Sequence, residues 1–323
     1  MAMGGALALA GLLALALLAA WALARDPFRL VQLVFAAQRV ASGLRRRRCL
    51  AAGHRWVYAA RAAADPQAPT LVLLHGFTGS KENWYPLARA LGRRYHLLIP
   101  DLPGWGESER KPEAAYGFVE QAEHVAAFIA ALSPARPVVL VGHSMGGGIA
   151  ALVAARHPQQ VAQVALLNAA GVRFRDNAFG LAVLAGENPF AVSDAASLRR
   201  YLATVFFDRR ARPWIPWPFS AALIARRRRD AAFEQAVLER IGRGPDSLRP
   251  GEEAACIRQP VLLVWGRQDA VIDPSALELY AARLPQARQV LLDGCGHMSL
   301  MERPREVARA LVAWIEDTPA AAG

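Results

Sequence analysis

Gly142-His143-Ser144-Met145-Gly146 is a G-x-S-x-G pentapeptide in a chain of 323 residues. It follows a β-branched run ending at Val141 and opens an Ala-rich stretch, so a strand should run into a helix there. Such a turn strains the backbone, lifts the serine hydroxyl into the open and sets it at a helix N-terminus, where developing negative charge is favoured. Ser144 is therefore the candidate nucleophile. Gly142 and Gly146 suit the close approach of strand and helix that side chains would block. A serine hydroxyl needs an adjacent base. Of the seven histidines, His297 lies in Asp293-Gly294-Cys295-Gly296-His297, after the last apolar run and before the last helical stretch. His143 flanks the nucleophile and reads as a shaping residue, and His75 as structural. His54, His96, His124 and His157 fall in strand, helix or linker contexts that suggest packing or surface roles.

The base needs an acid to fix its tautomer and stabilise the imidazolium. Asp269, in Trp265-Gly266-Arg267-Gln268-Asp269, follows a buried run and precedes His297. That gives the chain order serine, acid, histidine. Asp273 is the runner-up, although it also reads as an N-cap for a helix opening at Pro274 or Ser275. A tetrahedral intermediate needs two N–H donors. Met145, just after the nucleophile, supplies one. Phe77 is the candidate for the other, because Gly76 lets the His75-Gly76-Phe77-Thr78-Gly79 backbone turn inward. Base, nucleophile and donors all come from the chain, so no metal or organic cofactor is expected.

The elements that position these groups alternate along the body of the chain. Runs at 71–74, 95–100, 137–141, 164–167, 261–265 and 289–292 read as buried strands. Stretches at 84–91, 119–132, 145–157, 275–284 and 304–316 read as helices. Continuous apolar strands with helical crossovers imply a mostly parallel sheet covered on both faces. The alternation breaks between 173 and 253, where a helical insertion is expected to form a cap over the C-terminal edge of the sheet. Phe206, Trp214 and Trp217 of that insertion, with Phe190, Phe207, Ile215 and Phe219, are candidates to line an acyl pocket or touch lipid. The expected organisation is a core at 55–172 and 254–318, with the cap at 173–253.

Composition bounds the rest. The chain carries 38 Lys+Arg against 27 Asp+Glu, a net charge of +11, with 54% hydrophobic residues. Seven arginines and one acid, Asp26, precede residue 51. No module with basic residues interleaved with aromatics is evident, which argues against a nucleic-acid partner. Residues 1–24 carry no charge. As a helix they would reach about 36 Å, enough to cross a hydrocarbon layer of roughly 30 Å. Ala22-Leu23-Ala24 has the spacing of a signal-peptide cleavage site. No Lys or Arg precedes the apolar run, however, and its length favours an uncleaved transmembrane anchor. Segment 25–54 then reads as a basic, amphipathic juxtamembrane arm whose Arg45 to Arg48 meet lipid phosphates. Its arginines predict a single-pass membrane protein with the bulk of the chain on the cytoplasmic side.

Five pieces, HGFTG (75–79), PDLPGWGES (100–108), GHSMGG (142–147), WGRQD (265–269) and GCGHMSLMERP (294–304), resemble the α/β-hydrolase superfamily over residues 55 to 318. More narrowly the chain is similar to membrane-anchored monoacylglycerol lipases and related bacterial lipases and esterases. The resemblance implies Ser144, Asp269 and His297 as a triad, with Phe77 and Met145 as oxyanion donors. It also implies a lipid or other ester as substrate. Carbon–carbon bond hydrolysis or peroxide chemistry at the same triad is the alternative within the fold. Serine at 144 argues against epoxide hydrolases and dehalogenases, whose similar folds use a carboxylate nucleophile. A non-catalytic, membrane-tethered binding module is the alternative outside it.

Overall fold

The computed structural model describes residues 25–318 without a break, together with residues 10, 11, 13, 14 and 21. Its sheet has eight strands in the order β1-β2-β4-β3-β5-β6-β7-β8. They are β1 Arg45–Ala51, β2 His54–Arg61, β3 Thr70–Leu74, β4 His96–Pro100, β5 Val138–His143, β6 Val161–Leu167, β7 Val261–Gly266 and β8 Arg288–Leu292. From β4 to β8 neighbours run parallel, while β1 on β2 and β2 on β4 are antiparallel. Helices Phe118–Leu132, Met145–Arg156 and Ser275–Ala281 pack one face, and Tyr85–Ala90 with Pro304–Asp317 the other. Covered on both sides, the central strands β3, β5, β6 and β7 need no polar face, which is why they read as unbroken apolar runs.

The antiparallel edge departs from expectation. β1 and β2 form a hairpin turned by Ala52 and Gly53, both at positive φ (49° and 72°), the geometry of a two-residue turn. The folded core therefore begins at Arg45, not at 55. Arg45 to Arg48 lie in an edge strand of the sheet, not in the amphipathic helix that precedes it. Arginines on an edge strand discourage pairing with other chains, and Arg46 also pairs with Glu107. Ahead of the hairpin, helix Phe28–Ala41 docks on the domain. It packs on cap helix Phe219–Arg243 and on helix Tyr85–Ala90, burying Val31 and leaving Leu33 and Val40 exposed. Among the described residues no helix is long and apolar enough to cross a membrane. The span expected at 1–24 lies almost wholly outside those residues.

Between β6 and β7 the insertion contains helices Ala178–Leu184, Ala195–Val205, Phe219–Arg243 and Arg249–Glu253. It leaves the sheet at the C-terminal end of β6 and returns before β7, so it lies over the edge where β5 delivers Ser144.

Candidate active site

Ser144 sits between β5 and helix Met145–Arg156 with φ 56° and ψ −119°. This is a left-handed conformation that a side chain adopts only under constraint. The constraint is local packing: a Cβ on Gly142 would overlap the Gly146 carbonyl, and a Cβ on Gly146 would overlap the Leu74 carbonyl. Only glycines let the strand, the turn and β3 come this close. Three backbone N–H groups, from Gly147, Gly148 and Ala170, donate to the Ser144 carbonyl at 2.9 to 3.1 Å and lock the turn.

His297 Nε2 lies 3.0 Å from Ser144 Oγ, and His297 Nδ1 lies 2.8 Å from Asp269 Oδ2. The second Asp269 oxygen accepts from the Val271 and Ile272 N–H groups at 2.8 and 3.0 Å, and Asn168 Nδ2 donates to Oδ2 at 2.8 Å. Four donors fix the orientation of this carboxylate. Asp273 instead accepts from Ser275 N–H at 2.9 Å, capping the next helix, and plays no part in this chain of bonds. His143 donates through Nε2 to the His297 carbonyl at 2.8 Å. Burial and the adjacent His297 ring hold its pKa well below the ordinary histidine value, so it is a neutral prop for the His297 backbone.

The loop after β3 is pinned against the serine, since a Cβ on Gly76 would come 2.9 Å from the Ser144 Cβ. His75 accepts from Leu102 N–H at 3.0 Å through Nε2, which leaves Nδ1 to donate to the Gly76 carbonyl at 2.8 Å. Burial pushes its pKa down to about 4, so it stays neutral near pH 7. A little further on, buried Lys81 binds Asp101 at 2.7 Å, Glu82 at 2.8 Å and Glu107 at 2.9 Å. Burial alone would lower the Lys81 pKa, but the Asp101 and Glu82 carboxylates raise it, so the ammonium stays charged and clamps the loop after β3 to the loop after β4. Met145, the first residue of its helix, has no intrahelical acceptor for its N–H. Phe77 and Met145 line the same cavity as Ser144.

That cavity measures about 290 Å³ and runs from Ser144 under the cap, lined by Phe77, Phe179, Val183, Phe190, Leu238 and Ile241 among others. Of the apolar cap residues expected to form it, Phe190 does. Phe206, Trp214 and Trp217 do not. Phe206 is buried in the core, and both tryptophans point into solvent. Helices Ala178–Leu184 and Phe219–Arg243 supply the wall instead.

Residues 69–304 match the family model for the α/β hydrolase fold. The chain belongs to the α/β-hydrolase fold family. It is 31% identical to lipase 1 of Psychrobacter immobilis over 265 residues, 80% of each chain. To monoacylglycerol lipase abhd6-B of Xenopus laevis it is 27% identical over 298 residues, covering 90% of this chain and 87% of that one. The crystal structure of a membrane phospholipase A, described as a bacterial virulence factor, superposes with a TM-score of 0.84 at 35% identity, covering 96% and 97% of the two chains. This hydrolase is thus a lipase- and esterase-like member of its family.

Two supports of the site were not legible in its sequence motifs. Asn168, the first residue after β6 and itself at φ 47°, holds Asp269 and is held in turn by Ser299 Oγ at 2.6 Å. Its position at the C-terminal edge of a central strand was the available signal. Glu302 accepts from Gly296 N–H at 3.0 Å, one residue before His297, and from Asp208 N–H at 2.8 Å in the cap. Arg303 completes the link, donating to Asp208 at 2.7 Å and to the Gly294 carbonyl at 2.6 Å. The loop that carries His297 and the cap are therefore joined through one buried carboxylate.

Proposed function

We propose that this chain is a serine carboxylester hydrolase acting on esters with a medium-length acyl chain, of the monoacylglycerol type. The observation that carries the reading is the line of hydrogen bonds from Asp269 through His297 to Ser144, ending at an apolar cavity. As Ser144 Oγ attacks the ester carbonyl carbon, His297 Nε2 takes its proton, and Asp269 stabilises the imidazolium. The carbonyl oxygen becomes an oxyanion that accepts from the Phe77 and Met145 N–H groups. Collapse breaks the ester C–O bond, and the leaving alkoxide takes the proton from His297 and departs as the alcohol. Water then attacks the acyl-enzyme, giving a proton to His297. A second collapse releases the carboxylic acid and returns the proton to Ser144.

Cavity size supports the acyl preference. At about 30 Å³ per water-sized group, 290 Å³ holds roughly ten such groups, which suits a chain of about eight to ten carbons. Membrane attachment belongs to the same reading. It is supported by the uncharged residues 1–24, by Arg25, Arg29 and Arg39 after them, and by the likeness to a membrane phospholipase A. That arrangement favours a single-pass anchor with the catalytic domain on the cytoplasmic side.

Fluorophosphonate labelling of the full chain and of Ser144→Ala, with turnover of p-nitrophenyl and glyceryl esters of increasing chain length, tests the reading. Labelling should vanish in the variant, and activity should peak at medium chains. A wild-type protein that resists the probe, or turns over acetyl esters alone, overturns it.

A further inference from the structure

The cap carries an aromatic surface that its own fold leaves uncovered. Trp214 and Trp217 are 87% and 80% exposed, more than any other large apolar side chain among the described residues. They lie in Pro213-Trp214-Ile215-Pro216-Trp217-Pro218, where a proline stands beside each tryptophan. Prolines fix φ, so the two indoles are presented outward by a stiff segment. An exposed indole joins a large apolar body to one N–H donor, which suits a lipid–water boundary.

The charge of the sequence that flanks the tryptophans is one-sided. Between residues 206 and 230 the only carboxylates are Asp208 and Asp230. Asp208 is taken by Arg303 at 2.7 Å, and Asp230 by Arg226 at 2.8 Å and Arg110 at 3.0 Å. The exposed arginines Arg209, Arg210 and Arg228 make no ion pair among the described residues. The chain also arrives on this side: Phe28 lies with its ring 5.0 Å from the Arg226 guanidinium on cap helix Phe219–Arg243. Residues 1–24, uncharged throughout, end with three residues left before helix Phe28–Ala41 begins.

We infer that the 207–218 segment of the cap, with Trp214 and Trp217 at its tip and Arg209, Arg210 and Arg228 around it, docks on the surface of a bilayer that contains anionic lipids. This is a second membrane contact, separate from residues 1–24. The indoles enter the interfacial layer, and the guanidiniums meet lipid phosphates. The inference deepens the reading of a membrane-attached ester hydrolase and rests on it for the substrate's source. Docking itself is measured without turnover.

The test uses the full chain with Cys49 and Cys256 replaced by serine, reconstituted in phosphatidylcholine vesicles with or without phosphatidylglycerol. An environment-sensitive fluorophore is attached at Trp217→Cys or, as reference, at Leu50→Cys on the edge strand. With phosphatidylglycerol the label at 217 should shift to the blue and resist acrylamide, while the label at 50 stays accessible. Replacing Arg209, Arg210 and Arg228 by glutamine should weaken docking by about fivefold for each arginine removed. Equal acrylamide access at both positions overturns the proposal. Shielding at 217 that grows with protein concentration in the absence of vesicles also overturns it, because another protein copy is then the partner. In the kinetic arm, Trp214→Ser with Trp217→Ser should leave hydrolysis of a dispersed short-chain ester intact and cut hydrolysis of vesicle-borne monoacylglycerol by roughly tenfold. Equal loss on both substrates refutes a surface role. If wild type hydrolyses neither ester, the ester-hydrolase reading fails while the label still decides docking.

Discussion

Asp269→Asn probes the relay at the point where the structure leaves the replacement no comfortable orientation. The native carboxylate accepts from Val271 and Ile272 on one oxygen, and from His297 and Asn168 on the other. An asparagine with its NH2 group toward the Val271 and Ile272 amides would strand two buried donors, at about 1–3 kcal/mol each. The opposite orientation keeps those bonds and turns the NH2 group toward His297 and Asn168. His297 must then accept at Nδ1 and carry its proton on Nε2, where it can no longer take the proton of Ser144. The expected loss is about 10,000-fold in kcat, or roughly 5.5 kcal/mol of barrier. The NH2 group also meets Asn168 donor to donor, which should reduce stability by about 1–3 kcal/mol. The assay is steady-state hydrolysis of p-nitrophenyl octanoate, with thermal unfolding of the same samples. Asp273→Asn is the control: it weakens one helix cap by about 1 kcal/mol and should leave kcat unchanged. A folded Asp269→Asn enzyme that loses less than about tenfold, or an Asp273→Asn enzyme that loses more, refutes the assignment.

Three further expectations follow from the same geometry. Glu302→Gln sets an NH2 group against either the Gly296 or the Asp208 amide, so it should destabilise the fold by about 1–3 kcal/mol and lower kcat; unchanged melting and unchanged kcat would contradict the link between cap and base loop. Val183→Trp adds bulk to the cavity wall and should shorten the preferred acyl chain by roughly three carbons at about 30 Å³ per group, read from the ester chain-length series. His75 has its pKa lowered by burial from 6.5 to about 4, so the unfolded chain binds this proton first as pH falls. The stability it protects is complete above pH 6.5 and lost between there and about pH 4, on the order of 3 kcal/mol, so His75→Gln should reduce the fall of the urea midpoint across that window, with His143 and His124 supplying the rest.

The parts legible in the sequence were those where one residue type answers one requirement. The apolar runs marked β3, β5, β6 and β7 because strands buried on both faces carry no polar alternation, while β4 and the edge strand β8 showed as shorter, partly exposed runs. Ser144, Asp269 and His297 stood out as candidates because each follows a strand at the same edge of the sheet. The hairpin did not, because Arg45 to Arg48 form a strand through backbone pairing at an edge, where side chains need not be apolar. In β2, the Trp56-Val57-Tyr58 run was the overlooked sign. The cavity wall was misjudged for a related reason. Their apolar character made Trp214 and Trp217 candidates to line the pocket or touch lipid, and on a proline-stiffened segment they are exposed and do not line it. Leu238 and Ile241 take the wall from the C-terminal end of a long, arginine-rich helix whose overall polarity masks that stripe. Asn168 and Glu302 act through hydrogen bonds to Asp269 and Asp208, far away in the chain, and beyond the place of Asn168 at a strand end nothing local reveals those partners.

The carboxylate shared by the cap and the base loop bears on protein engineering. A chimaera that borrows the insertion of another lipase to change acyl preference would cut the chain near 173 and 253, the apparent seams. Those cuts leave residue 302 reaching for an amide that the donor segment need not supply at the same height. Grafts that carry the recipient's own Phe207-Asp208 pair, or import the donor's counterpart of 294–303 with its insertion, should keep the imidazole seated while substrate preference changes around it.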